Sequence, residues 1–136
     1  MKAVNPDLSV APQIQPEDVT VIAQQGFKSV ICNRPDGEAP DQPEFEAIKT
    51  AAAEQGLEVR YLPIVGSNFG ADDIETFTKM MADLPKPVLA YCRSGTRSIA
   101  LWALSEARSR PVADVLADTS AAGYNIAGLF PPQPGS

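Results

Sequence analysis

The sequence has 136 residues, 44% of them hydrophobic and 21% charged, which is the composition of one globular domain large enough to bury a real core. Its formal charge of −6 argues against non-specific binding to nucleic acid or to an anionic membrane, since both need a basic face. Histidine is absent and only Cys32 and Cys92 represent cysteine, which excludes His-based acid–base chemistry, a tetrahedral zinc site and a disulfide scaffold.

In chain order, residues 1–7 read as an N-terminal extension, and Met1 to Ser9 lacks the apolar core of a signal peptide. Leu8-Ser9-Val10 is a short first strand. Pro16 opens a helix of about ten residues, with Glu17 and Asp18 in its first turn and Gly26 closing it. Phe27 to Cys32 is rich in β-branched and aromatic residues and reads as a second strand. Asn33 to Gln42 is loop, built on a Pro-Asp-Gly turn. From Pro43 a helix runs to Gln55 and stops at Gly56, with Phe45, Ile48 and Ala52 on one face. Leu57 to Leu62 alternates and gives a third strand near the sheet edge.

Pro63 to Ala71 forms a second loop, with Phe69 as a candidate lid side chain. Asp72 and Glu75 have capping-box spacing at the start of a helix that carries Ile74, Phe77, Met80, Met81 and Leu84. After Pro85-Lys86-Pro87, Val88 begins an apolar strand that ends at Cys92. A helix follows from about Arg97 to Arg108, and Pro111 restarts another that reaches Gly123. Tyr124 to Phe130 is a last turn, and residues 131–136 form a tail. Strands alternating with helices imply a single α/β domain over residues 8–130, three-layered, with a mainly parallel sheet of four or five strands. No apolar run approaches the roughly 20 residues of a bilayer span, so no membrane partner is expected.

Ligands of such sheets bind beyond the carboxyl ends of the strands. The stretch Cys92-Arg93-Ser94-Gly95-Thr96-Arg97-Ser98 lies at such an end, where a loop entering a helix turns several N–H groups toward one anion. The same field favours a thiolate. Cys92 is the candidate nucleophile, and Arg97 and Arg93 are candidate oxyanion ligands, Arg97 because its planar fork matches two oxygens. Gly95 lets the loop curl, while Ser94, Thr96 and Ser98 supply hydroxyls. Arg34 is a candidate substrate ligand from the neighbouring loop. Trp102 and Tyr91 are expected to pack in the core, with Tyr91 pointing away from the loop. No metal or cofactor is expected. The expected partner is a small anion, and two cysteines fit a reducing cytoplasm.

CRSGTRS resembles the active-site loop of rhodanese-type sulfurtransferases. Over about Leu8 to Leu129, the stretches GFKSVICNRPDGE, LPIV, PVLAYCRSGTRSIALWAL and AGYNIAGL resemble the phosphatase-like domain of the beta-lactamase hydrolase-like protein family. That resemblance implies a cysteine-phosphatase-like fold. In fused relatives the domain precedes a metallo-hydrolase domain implicated in sulfide and persulfide metabolism, so the resemblance also implies a metallo-hydrolase as an expected partner. In phosphatase-like sheets the strand ending at Cys32 neighbours that of Cys92, which makes Cys32 a candidate resolving thiol. Phosphatase loops of this kind read Cys-x5-Arg, with histidine before the cysteine and an aspartic acid supplied by another loop. Here the spacing is Cys-x4-Arg, Tyr91 precedes Cys92, and residues 63–71 carry no carboxylate. Asp72 and Asp73 follow, but helix capping suffices to explain them. The expected activity is therefore sulfur transfer, from thiosulfate or a persulfide through a Cys92 persulfide to a thiol acceptor. The alternatives are a cysteine phosphatase acting on a phosphoester and a non-catalytic anion-binding module.

Overall fold

The computed structural model describes residues 1–131. Five strands form one sheet: β1 (Lys2–Asn5), β2 (Leu8–Ala11), β3 (Ser29–Cys32), β4 (Glu58–Tyr61) and β5 (Val88–Tyr91), in the spatial order β1-β2-β5-β3-β4. All pairs are parallel except β1 with β2. Helices α1 (Asp18–Gln24), α2 (Phe45–Glu54), α3 (Ala71–Asp83), α4 (Thr96–Glu106) and α5 (Val112–Ala121) cover it, followed by a 3-10 turn at Ala127–Leu129.

The three layers follow from strand alternation. Val88 and Ala90 of β5 join Leu8, Val10 and Ile31 against Phe77, Ile99, Leu101, Trp102 and Val115 from α3, α4 and α5. Leu89 and Tyr91 face the other way and join Val30 and Cys32 against Val19, Ile22, Ile48 and Ala52 from α1 and α2. Tyr91 is thereby directed as expected, and Trp102 packs in the core. Because β5 is covered on both sides, every residue in it is buried. β4 is at an edge, as its polar residues predict, and its Tyr61 stacks on Phe45 with ring centroids 4.6 Å apart.

Several boundaries differ from those read in the sequence. Residues 1–7 hold the edge strand β1, and its turn into β2 is made by Asn5, whose Oδ1 accepts from the N–H groups of Asp7 and Leu8. Four residues paired on one side leave too short an alternation to stand out. The first helix is seven residues, not ten, because Pro16 and Glu17 are used in a turn: the Asp18 carboxylate accepts from the Gln15 N–H at 2.8 Å. The third helix starts at Ala71, so the acidic residue three past its cap is Asp73, not Glu75; its carboxylate accepts from the Gly70 N–H at 3.1 Å. Of the expected tail, residues 132–136 lie outside the described residues.

Parallel pairing brings the ends of β2, β3, β4 and β5 to one edge of the sheet. The ladder continues past the strands and ties the outgoing loops together. Asn33 N–H donates to Tyr91 O at 2.8 Å, Leu62 N–H to Cys32 O at 2.9 Å, Ile64 N–H to Asn33 O at 3.0 Å and Cys92 N–H to Ala11 O at 3.3 Å.

Candidate active site

Cys92 directly follows β5, and its loop closes at Gly95, which caps α4 with φ of 92°. A side chain at Gly95 would need that left-handed backbone and would run into the Tyr124 hydroxyl. Glycine also lets its own N–H turn inward, where it donates to Cys92 Sγ at 3.1 Å. From outside, the Tyr124 hydroxyl donates to Ser94 O at 2.9 Å, and Gln13 N–H donates to Arg93 O at 3.3 Å. The short loop is therefore pinned from the end of β2 and from the segment after α5.

Arg97 sits in the first turn of α4. Its Nη1 and Nη2 each donate to one oxygen of Glu38 at 2.8 Å, and Nη1 also donates to Ile64 O at 2.7 Å. A guanidinium has five N–H donors, so Nε–H and one Nη2–H remain for a ligand. The Glu38 carboxylate foremost strengthens the hold of Arg97 on its proton, and the Cys92 sulfur adds to this through both charge and hydrogen bonding. The sulfur thus lies close to the guanidinium. Glu38 in turn is held ionised, its pKa lowered to about 2 by the hydrogen bond from Arg97 and then by that from Arg34.

The other candidates divide. Arg34, Arg93, Ser94 and Arg97 line one open cavity of about 610 Å3 together with Glu38, Ala39 and Gly66. Cys92 is only 1% exposed and is not itself on that wall. Arg34 is nearly as buried, and its Nε and Nη1 are given to Glu38 and to Gln13 Oε1 at 3.0 and 3.1 Å, so it braces Glu38 more than it faces solvent. Thr96 shares a 3.0 Å hydroxyl contact with Ser94 but lines a neighbouring apolar cleft with Phe69 and Ile126. The Ser98 hydroxyl, expected near the sulfur, is fully buried and donates to Asn33 Oδ1 at 2.8 Å. Asn33 completes that bridge by donating to Leu62 O at 2.9 Å, tying the ends of β3 and β4 to the first turn of α4.

Cys32 does neighbour the nucleophile's strand, but its register partner is Tyr91, one residue out of step with Cys92. Its thiol therefore shares the Tyr91 face and donates to Arg34 O at 3.3 Å; burial, above all, pushes its pKa up. That weakens the case for a resolving thiol. Neither Asp72 nor Asp73 lines the cavity. Sequence reasoning missed Glu38, Gln13, Asn33 and Tyr124 as site residues. An acidic residue in the loop beyond β3 looks like ordinary loop polarity, and nothing local marks it as the partner of an arginine 59 positions away. Among the described residues no cluster of His, Cys, Asp and Glu could hold a metal, and no helix is long and apolar enough to cross a membrane.

Comparison with known proteins returns phosphatase-like relatives. A beta-lactamase hydrolase-like protein of Agrobacterium fabrum is 41% identical over 109 residues, 79% of this chain and 25% of that protein. The chain thus spans about a quarter of the length of the curated relatives it matches. A crystal structure from Neisseria meningitidis, provisionally called a phosphatase, superposes with a TM-score of 0.84 at 35% identity, covering 94% of this chain and 92% of that one. Tk-PTP in its active form matches with a TM-score of 0.74 at 16% identity, over 91% and 84% of the two chains, a likeness of fold alone. None of these proteins is described as a sulfurtransferase. The model of the phosphatase-like domain of the beta-lactamase hydrolase-like proteins matches residues 1–109, and the chain belongs to that family.

Proposed function

We propose that the chain is a cysteine-dependent phosphatase that works through a phosphocysteine. The observation that carries the reading is the fixed posture of Arg97. Three of its donors are held by Glu38 and Ile64 O, so the two remaining N–H groups form a fork beside the Cys92 sulfur. Such a fork takes two oxygens of a tetrahedral anion while the sulfur attacks its centre. The loop N–H groups and the start of α4 would complement the charge that builds on the remaining oxygen. The phosphatase description of the Neisseria protein agrees with this chemistry. The substrate would be a small phosphorylated anion drawn to a cavity lined by three arginines.

Sulfur transfer, favoured by the one-residue-shorter loop, is the weaker reading. The short loop still lets the Gly95 N–H donate to the Cys92 sulfur, so its length alone does not argue against phosphate. A thiol acceptor and a metallo-hydrolase partner gain no support from the relatives. The test is hydrolysis of p-nitrophenyl phosphate by the wild type and by Cys92→Ser, with rapid-quench mass spectrometry. Nitrophenol release that requires Cys92, with a phosphoryl mass on it, is the expected result. A sulfur mass from thiosulfate with no phosphoryl adduct would reverse the order of the two readings.

A further inference from the structure

An alkyl phosphoester expels an alkoxide, which departs fast only if an acid protonates it, and a positioned acid supplies about 10²–10⁴ in rate. Among the described residues, the walls of the arginine-lined cavity offer none. Among the described residues the only carboxyl group lining it is that of Glu38, and both its oxygens accept hydrogen bonds from guanidinium groups, three bonds in all. Asp73 is engaged with the Gly70 N–H and Asp36 with the Phe45 N–H. The Tyr124 proton is given to Ser94 O, and that of Ser98 to Asn33. The rim segment 63–70 contains no acidic residue, nor do residues 132–136. By contrast, positive charge is in surplus: Arg93 lines the cavity and, among the described residues, has no ion-pair partner.

We propose that the site serves phosphoryl substrates whose leaving group departs as a stabilised anion, an aryl oxide or a phosphate, and that it does not serve alkyl phosphoesters. This rests on the phosphatase reading. In the first step the Cys92 thiolate forms the S–P bond as the P–O bond to the leaving group breaks. The bonding pair stays on the leaving oxygen, which exits unprotonated past Arg93. In the second step water attacks phosphorus, the S–P bond breaks, the thiolate is restored, and the water's proton passes to bulk solvent with phosphate as product. Glu38 is ionised throughout, its pKa of about 2 leaving it no proton to give at neutral pH.

The experiment measures kcat/KM for a series of aryl phosphates graded in leaving-group acidity, for inorganic pyrophosphate and for glycerol phosphate, in the wild type and in Arg93→Ala. A fall of about tenfold per unit of leaving-group pKa, with glycerol phosphate at background, supports the proposal. Pyrophosphate turnover that drops in Arg93→Ala assigns phosphate as the leaving group, and turnover of aryl phosphates alone assigns the aryl oxide. Cys92-dependent turnover of glycerol phosphate at the aryl rate, with a shallow leaving-group dependence, overturns the proposal while leaving the phosphatase intact. Absence of Cys92-dependent turnover across the whole series overturns both.

Discussion

Replacing Glu38 by Gln separates the positioning of Arg97 from the charge of the cavity. The carboxylate receives two hydrogen bonds of 2.8 Å from the end of the Arg97 guanidinium, and its side chain is 28% exposed. Gln can accept from one Nη through its carbonyl but turns an amide N–H toward the other. A largely buried charged pair of this kind is worth about 1–2 kcal/mol, which corresponds to a loss of about 5–30-fold in kcat if that energy holds the fork in place. Because the variant also removes a negative charge, inhibition by inorganic phosphate should be unchanged or tighter. Stability should change with pH in a defined direction. The Glu38 pKa falls from 4.5 to about 2 on folding, so its contribution is complete above 4.5 and is lost as pH drops toward 2. Urea denaturation at pH 6 and pH 3 should show the wild type losing a large part of that increment and Glu38→Gln lacking it. An unaltered kcat in a folded Glu38→Gln protein would refute the positioning role of the carboxylate.

Three further outcomes follow from the same geometry. Gly95→Ala should destabilise the protein by about 1–2 kcal/mol from the positive φ alone, with more from the collision with Tyr124. In a Tyr124→Phe background its penalty should be smaller, a coupling that thermal denaturation of the double-mutant cycle will read. Asn33→Ala strands the Ser98 hydroxyl and Leu62 O in a buried site, and a loss of about 2–4 kcal/mol is expected by urea titration. Treatment of the native protein with peroxide should yield no intramolecular disulfide, because Cys32 lies on the Tyr91 side of the sheet; a mass loss of two hydrogens would show otherwise.

Much of the fold is legible in the residues because the signals are local. The run Val88 to Tyr91 is apolar without interruption, and it is the strand that the sheet buries on both faces. Phe45, Ile48 and Ala52 recur at helical spacing and are the residues that α2 buries. Where the reading slipped, a local pattern had two solutions. Acidic residues near the start of α3 allow more than one cap, and only the path of the chain at Gly70 selects Asp73. A four-residue edge strand has too few alternations to be told from an extension.

The sequence by itself marked the candidate nucleophile and its candidate arginine, because Cys92, Gly95 and Arg97 lie within one strand–loop–helix stretch whose geometry is set by neighbours a few bonds away. It also carried the order of the elements after β1 and the face that α2 buries. The tertiary structure alone decided what Arg97 can offer a ligand. Glu38 and Ile64 arrive from two other strand ends and fix by long-range hydrogen bonds which edge of the guanidinium stays free, while Gln13, just past β2, holds the Arg34 that braces Glu38. The structure also decided that Ser98 braces Asn33 and that Cys32 turns from the nucleophile, since both depend on strand register. Periodicity along one chain reports what a residue is next to in sequence; pairing between distant strands is set by the packing of the whole sheet, which no single stretch records.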